Sequence, residues 1–440
     1  MKKLILTSLI FGLHFITINA QSYIGHRIDN YSGVHGIILN PSSVVDSRMK
    51  TDINILSISA FGGSDYFAID LSSLKDSEEG FDFEDSMEKN PKEDNQFFLN
   101  VDILGPSFMF NLSPIHSLGV TTRVRTFLNL NNINGNLYES LSEDFDSGDN
   151  FDFNMENFTG TVHAWGEIGV TYGRILMQKD VHFLKGGVTL KYLAGAGGVF
   201  ANTPSLMGNY NGTNEILTTM GSLNYGLATD FDTDDIEFKN TTSGFGGDLG
   251  FTYEYRNSTA PDSLSKKDNK YKFKLGLSIT DIGSISYNDS EVTNYDLNNS
   301  VETGDFEDQT IEEFLDENYN GTEQIVNSKI NLPTALHFLA DYEIRKRIYL
   351  SLNGSLSLIN EDKKQANRII NTISITPRFE TKIFSFYLPM GIRQYDGFSA
   401  GAGFRLGPVT IGSASAITTL LSDSSKTADV YIGLKVPIYQ

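Results

Sequence analysis

Hydrophobic and polar positions alternate with period two over much of the chain. In residues 429–440, Val430, Ile432, Leu434, Val436 and Ile438 point one way, and Tyr431, Gly433, Lys435, Pro437 and Tyr439 the other. Side chains on a strand have this period, so the stretch predicts a strand with one wholly aliphatic face. Ile348, Leu350, Leu352, Gly354 and Leu356 likewise oppose Tyr349, Ser351, Asn353 and Ser355. One face is too polar for burial on both sides, and the other too apolar to face water. Further strands are predicted over 51–71 (one strand, kinked at Gly62-Gly63), 97–112, 116–130, 159–176, 181–198, 244–256, from Tyr271, around 336–342, and near 368–380, 384–393, 398–406 and 409–418. The tally is about fourteen, an even number suited to a single-chain outer-membrane barrel. A soluble sandwich would present the same alternation, but no linkers rich in Pro and Gly stand out, and no repeat of propeller length is visible.

The connections support the barrel. Short turns near Ser113-Pro114, Gln178-Lys179-Asp180 and Arg345-Lys346 alternate with long acidic stretches at 72–96, 131–158, 199–243 and 288–331. Outer-membrane barrels have short periplasmic turns and long external loops, which puts both barrel ends on the periplasmic side. A short hairpin near 217–227 and a short helix within 309–319 are expected inside the long loops. Tyr342, Tyr349, Phe379 and Phe384 flank two short turns and predict part of a periplasmic aromatic girdle, although any sheet pairs aromatics in this way. If the face of Leu352 meets mid-bilayer, Leu352→Arg should cost about 2–4 kcal/mol, while Ser351→Arg should be tolerated in a wet lumen.

The start of the chain differs. Residues 1–20 read as a secretory signal: Lys2 and Lys3, a mostly apolar run, and Ala20 before the cut. Residues 21–50 do not alternate. Asn40 can cap a helical turn with Pro41 at its first position and Ser42 after it, ending near Arg48. This segment is read as a hatch or plug folded into the barrel mouth, carrying Asn40, Pro41, Ser42, Asp46 and Arg48; a surface arm is the plainer reading. The expected division is a signal peptide at 1–20, a hatch at 21–50 and an all-β transmembrane antiparallel barrel at 51–440.

A net charge of -21 argues against nucleic-acid binding, which needs a basic face. The absence of cysteine removes disulfides, thiolate metal sites and thiol nucleophiles. Gly397-Phe398-Ser399-Ala400-Gly401 matches the nucleophile-elbow pattern, but strand alternation continues through it with no helix after. Residues 230–235 begin like a calcium loop without the glycine at position six, so a solvated acidic loop is the better reading. The histidines show no metal-ligand spacing. No catalytic residue, metal or cofactor is therefore expected. The face opposite the aliphatic one carries Arg123, Arg125, Lys185, Lys191, Lys272, Lys274, Arg378, Arg393 and Arg405, with Asp248, Glu254 and Glu380. These predict a lumen that is wet, or ion-paired to a plug, and suit either a route for anionic or amphipathic solutes or structural cross-barrel pairs.

The signal, the Asn40-Pro41-Ser42-Ser43 element followed by Asp46-Ser47-Arg48, and the strand count resemble the DUF5723 proteins of Bacteroidota. These are similar in layout to the FadL and PorV superfamily of outer-membrane barrels. FadL-type barrels carry Asn-Pro-Ala in an N-terminal hatch; here Ser42 stands in place of the alanine. The resemblance implies a plugged barrel in outer-membrane lipid. It implies either passage of a small hydrophobic or amphipathic ligand, or a non-transporting role within a secretion or assembly complex. The ligand-binding residues of FadL proteins have no counterparts that can be placed here.

Overall fold

The computed structural model describes residues 23–69, 87–145, 148–229, 242–256, 270–304, 306, 309–422 and 424–439. The predicted signal at 1–20 and the acidic run 230–235 lie outside these. Fourteen strands, each antiparallel to its neighbours, close into a barrel. β1 is Met49–Ser64. β2 runs in two pieces, Asn95–Leu104 and Ser107–Ser113. β3 (His116–Ile133), β4 (Phe151–Lys179) and β5 (His182–Asn211) follow. β6 is also split, into Ile216–Thr229 and Ser243–Arg256, both lying between β5 and β7 (Tyr271–Asp296). β8 joins Asn320–Asn331 to Ala335–Arg345; β9 is Ile348–Ser357 and β10 Thr372–Glu380. β11 (Phe384–Tyr387, Met390–Arg393), β12 (Gly397–Ala400, Ala402–Leu406), β13 (Val409–Ser413) and β14 (Thr427–Tyr439) complete the ring. β14 pairs back onto β1 from Met49↔Tyr439 to Gly63↔Thr427, so the wall has no open edge there.

The alternation decides which way each side chain points. Leu352 is 39% exposed and Ser351 0%. On β14, Ile432, Leu434, Val436 and Ile438 face outward, while Tyr431 and Lys435 are buried inside. Aromatic rings mark both margins of the apolar band. Tyr192 and Phe245 stack edge to face at 5.9 Å on one margin. Tyr172, Tyr255 and Tyr342 lie exposed at the other, as do Phe379 and Phe384 with ring centroids 6.4 Å apart. The run from Phe245 to Tyr255 on a tilted strand gives a band about 25 Å tall, the height expected of a barrel in lipid. Tyr349 does not join this girdle. It points inward, 4.9 Å beneath the Arg378 guanidinium, because it shares the face of Ser351.

The short turns, the start of β1 and the end of β14 lie at one end of the barrel, the turn end; the opposite end is the loop end. There β4, β5, β6, β7 and β8 run on well past Tyr192 and Phe245. Stretches expected to be loop are therefore largely strand. The strand predicted from residue 159 starts at Phe151, and 288–331 contains the end of β7, the strand Asn299–Glu302, the helix Ile311–Asn318 and the first half of β8. That helix is held by a capping box between Thr310 and Glu313 (2.8 and 3.1 Å). The reason is a second hydrophobic core above the band, where Phe153, Met155, Tyr210, Tyr295, Phe314 and Tyr319 pack together. The predicted 51–71 strand also ends early, at Ser64. Phe67–Ile69 turns away to pair with Met87–Lys89, and Tyr66 is drawn into the same core.

Candidate functional site

Residues 23–48 lie inside the wall without forming a strand of it. Gly25 and Gly33 (φ 87° and 62°) open two tight bends that an L side chain would strain. Asn40 then caps the 3-10 turn Pro41–Val44, its side chain accepting from Ser42 N at 3.0 Å. The turn rests on a gap in the wall made by two glycines paired across β5 and β6, Gly187 and Gly250. A Cβ at Gly250 would stand 2.2 Å from Asn40 Oδ1, and one at Gly187 2.4 Å from Pro41. Asn40 Nδ2 donates to Phe251 O (3.1 Å), Ser42 Oγ bonds Thr252 Oγ1 (2.7 Å) and Ser278 Oγ donates to Leu39 O (2.6 Å).

Charge fastens the rest of the segment. Asp29 pairs with Arg405 on β12 (3.1 Å) and accepts from Tyr387 on β11. Asp46 pairs with Arg256 on β6 (2.5 Å) and with Lys270 (3.2 Å). Lys435 on β14 donates to the carbonyls of Tyr31 (2.7 Å) and Ser32 (2.9 Å), while Asp52 on β1 accepts from Val34 N (2.9 Å). Lys185 on β5 donates to Val45 O (2.8 Å), and Asn30 Nδ2 donates to Glu380 on β10 (2.9 Å). Arg48 lies over the Tyr31 ring at 4.7 Å. These partners come from strands around the whole ring.

Two further networks line the lumen, and the first also crosses it through Arg125 on β3 and Asp281 on β7. In the first, Arg123 pairs with Asp102 (2.7 Å) and Glu167 (2.9 Å), Arg125 with Asp281 (2.9 Å), and Lys191 with Asp248 (2.8 Å) and Asp281 (2.6 Å). In the second, Arg378 grips Asp341 with both terminal nitrogens (2.9 and 2.6 Å) and also contacts Glu380 and Ser351. Lys274 joins Asp341 at 3.3 Å. Ion pairs buried this completely hold only while every partner is present, since a lone charge in such a place is costly.

The loop end is closed separately. The connection 358–371 between β9 and β10 reaches across to the opposite wall. Asn367 Nδ2 donates to Asn129 Oδ1 on β3 (3.2 Å), Asn129 Nδ2 donates to Arg368 O (3.1 Å), and the Arg368 guanidinium donates to Asn131 (2.8 and 3.0 Å) and pairs with Glu361 (2.9 Å). Ile370 packs on Phe61 and Phe98, and Ile369 lies over a layer containing Phe127, Trp165 and Tyr287. From loop end to turn end the lumen thus holds a strap, an aromatic layer, a charged layer and the N-terminal segment.

Of the predicted inward charges, Arg123, Arg125, Lys191 and Asp248 meet in one network. Lys274, Arg378 and Glu380 meet in the other, while Lys185, Glu254 and Arg405 lie around the N-terminal segment. Glu254 pairs with Arg256 (2.7 Å), and Arg393 pairs with Asp429 (2.7 Å) nearer the loop end. Lys272 is a correction. It donates to Glu343 O and lies 4.5 Å over the outward Tyr342 ring, because β7 slips phase near its start and Tyr271 takes the inward place. Asp102, Glu167, Asp281 and Asp341 were missed as partners. Strict alternation marks Glu167 and Asp341, whereas Asp281 turns inward at a bulge (φ 57°) that sequence does not announce. Ser399, from the elbow-like pattern, lies on β12 in strand, with more strand following Gly401.

A closed ring of fourteen antiparallel strands with an outward apolar band and a polar, filled interior defines a membrane β-barrel of the outer-membrane type. Residues 41–414 match the model of the family of unknown function DUF5723, and the chain belongs to that family. No curated protein matches the sequence. Among solved structures, the toluene transporter TbuX of Ralstonia pickettii is 9% identical, with 93% of this chain and 95% of that chain covered and a TM-score of 0.42. A FadL homologue of Pseudomonas aeruginosa is 11% identical over 91% and 93%, with a TM-score of 0.42. The toluene transporter TodX of Pseudomonas putida is 8% identical over 95% and 98%, with a TM-score of 0.36.

Proposed function

We propose that this chain is exported by the signal at 1–20, sits in the bacterial outer membrane, and passes small hydrophobic or amphipathic molecules when residues 21–50, acting as a hatch, yield. The observation that carries this reading is how the segment is held. Residues 23–48 lie within the ring but belong to none of its strands, whereas Met49 and Lys50 already begin β1, so 23–48 can leave without breaking the wall. The segment's polar ties to the wall are ion pairs and hydrogen bonds, beside one apolar cluster of Val34, Ile37, Val44 and Val45 on Leu104 and Met109, and buried charge pairs of this kind release together once water enters. The protein does no catalysis in this reading. The test is uptake of a hydrophobic fluorescent probe by vesicles carrying the purified barrel. Deleting 23–48, which leaves β1 whole, should raise uptake; unchanged uptake would remove the hatch from the mechanism.

A second reading has its own observation. Among the described residues, Asn320–Asn331 pairs with β7 along one side and meets only an isolated bridge, Asn331↔Ala366, on the other. Ile325 there is 66% exposed. An open strand edge offers a partner protein a row of unpaired backbone groups. The barrel would then be a non-transporting subunit of a secretion or assembly complex. No probe uptake by either form, with a large protein co-purifying from solubilised outer membrane, would favour this role.

A further inference from the structure

A cavity of about 110 Å³ lies between the N-terminal segment and the wall formed by β5, β6, β7 and β8. Counting some 10–15 Å³ per water, it has room for several waters or one tetrahedral oxyanion. Five cations line it: Arg27, Arg48, Lys185, Lys270 and Lys274. Three carboxylates do so as well, and each is already engaged: Asp29 by Arg405, Asp46 by Arg256 and Lys270, Glu254 by Arg256. Two of the cations have no carboxylate within ion-pair distance among the described residues. The Arg27 guanidinium reaches only Ser355 Oγ (3.3 Å), and its buried Nε has no hydrogen-bond partner. The Lys185 ammonium has three donors and bonds only Val45 O (2.8 Å).

We propose that this cavity binds a phosphate group, with Arg27 and Lys185 supplying its principal donors. A guanidinium fork and an ammonium from two different walls suit a tetrahedral oxyanion, which accepts from several directions. A chain of net charge -21 otherwise has little reason to hold two unpaired cations in one buried place. The inference deepens the hatch reading, because the site exists only while the segment is seated. A ligand bound there would favour the closed state.

The experiment is calorimetric titration of the full chain in detergent with inorganic phosphate and, separately, with glycerol 3-phosphate. One saturable site per barrel is expected, weakened at least about tenfold, or 1.4 kcal/mol, in Arg27→Gln and in Lys185→Gln. Arg393→Gln, at the other end of the lumen, should bind as the parent does. Tighter binding of the ester assigns a phosphate carried on a larger molecule, and tighter binding of the ion assigns free phosphate; both support the site. No saturable binding, or binding untouched by both substitutions, overturns it. Unheated and boiled gels check that each variant is folded. Should Arg27→Gln not fold, Arg27→Lys, which keeps the charge and loses the fork, takes its place and should weaken binding. Binding is read on the closed barrel, so a failure of probe uptake leaves this result standing.

Discussion

At the turn end, residues 23–48 are tied down by charge, with Asp29, Asp46 and the Lys435 ammonium each joined to a partner across the segment boundary. At the loop end, the strap at 358–371 is tied by asparagine amides, backbone groups, two isoleucines and the Arg368 guanidinium on the neutral Asn131; among the described residues its ion pair, Arg368–Glu361, is internal to the strap. The two closures therefore release differently. A buried ion pair that loses a partner leaves a charge facing protein, so the inner closure is held in one register and gives way as a unit. Amide and apolar contacts are individually smaller and can be lost one at a time. The strap should open at lower cost than residues 23–48.

Arg378 offers the hardest blow to that contrast. Arg378→Met leaves Asp341 with Lys274 as its cation and takes the guanidinium from Glu380, which in turn holds Asn30. The loss should be about 3–5 kcal/mol, seen as a lower unfolding midpoint on heat-shift gels, with protease reaching 23–48 before it reaches 358–371. If the strap is cut first, the inner closure does not depend on charge. Leu352→Arg comes next, at about 2–4 kcal/mol for a charge in the apolar band. Its inward neighbour is the sharper case. Ser351 was expected to tolerate arginine in a wet lumen, but it is buried and donates to Asp341 at 3.0 Å, so Ser351→Arg should destabilise the barrel as well.

Gly250→Val acts on the N-terminal segment alone. The new side chain would strike Asn40, so the 40–44 turn should leave its seat while the ring still shifts on unheated gels. Faster hydrogen exchange over 34–48, without change at 361–371, is the expected reading. The smallest effect is on the strap. Partial burial raises the pKa of Glu361, but Arg368 beside it, with Tyr395 and Gln394, pulls further the other way, leaving a net lowering. The sign follows: a lowered carboxyl contributes in full above its ordinary value of 4.5 and stops contributing as pH falls through the lowered one. Exchange over 361–371 should quicken only in acid below 4.5, and Glu361→Gln should abolish that dependence.

Strand alternation made the wall legible, down to which face of β9 and β14 meets lipid. The Asn40-Pro41 cap was legible too, because capping is local chemistry. What escaped sequence reading was non-local. Past the membrane, Phe153 and Met155 alternate with Asp152, Asn154 and Glu156, and the acids made the stretch look like loop. Their apolar face is buried by a core that exists only when seven strands and the helices Gly135–Ser142 and Ile311–Asn318 come together. The strap has no pattern at all, since its Asn367 and Arg368 matter only for what stands opposite them. Asp281 and Lys272 were misjudged for a single reason: one bulge or one slipped residue reverses every face after it.

Lys435 and Arg405 lie on β14 and β12, yet the groups they serve, the carbonyls of Tyr31 and Ser32 and the Asp29 carboxylate, come near the beginning of the chain. Asp52 on β1 stands 3.6 Å from Lys435, and Arg405 also donates to Thr381 O and Ser385 Oγ, so a ring that shut with that stretch left outside would keep both cations but with fewer partners. Seating the early segment therefore completes the partners of two late strands, whether it enters before or after the last strand zips onto the first.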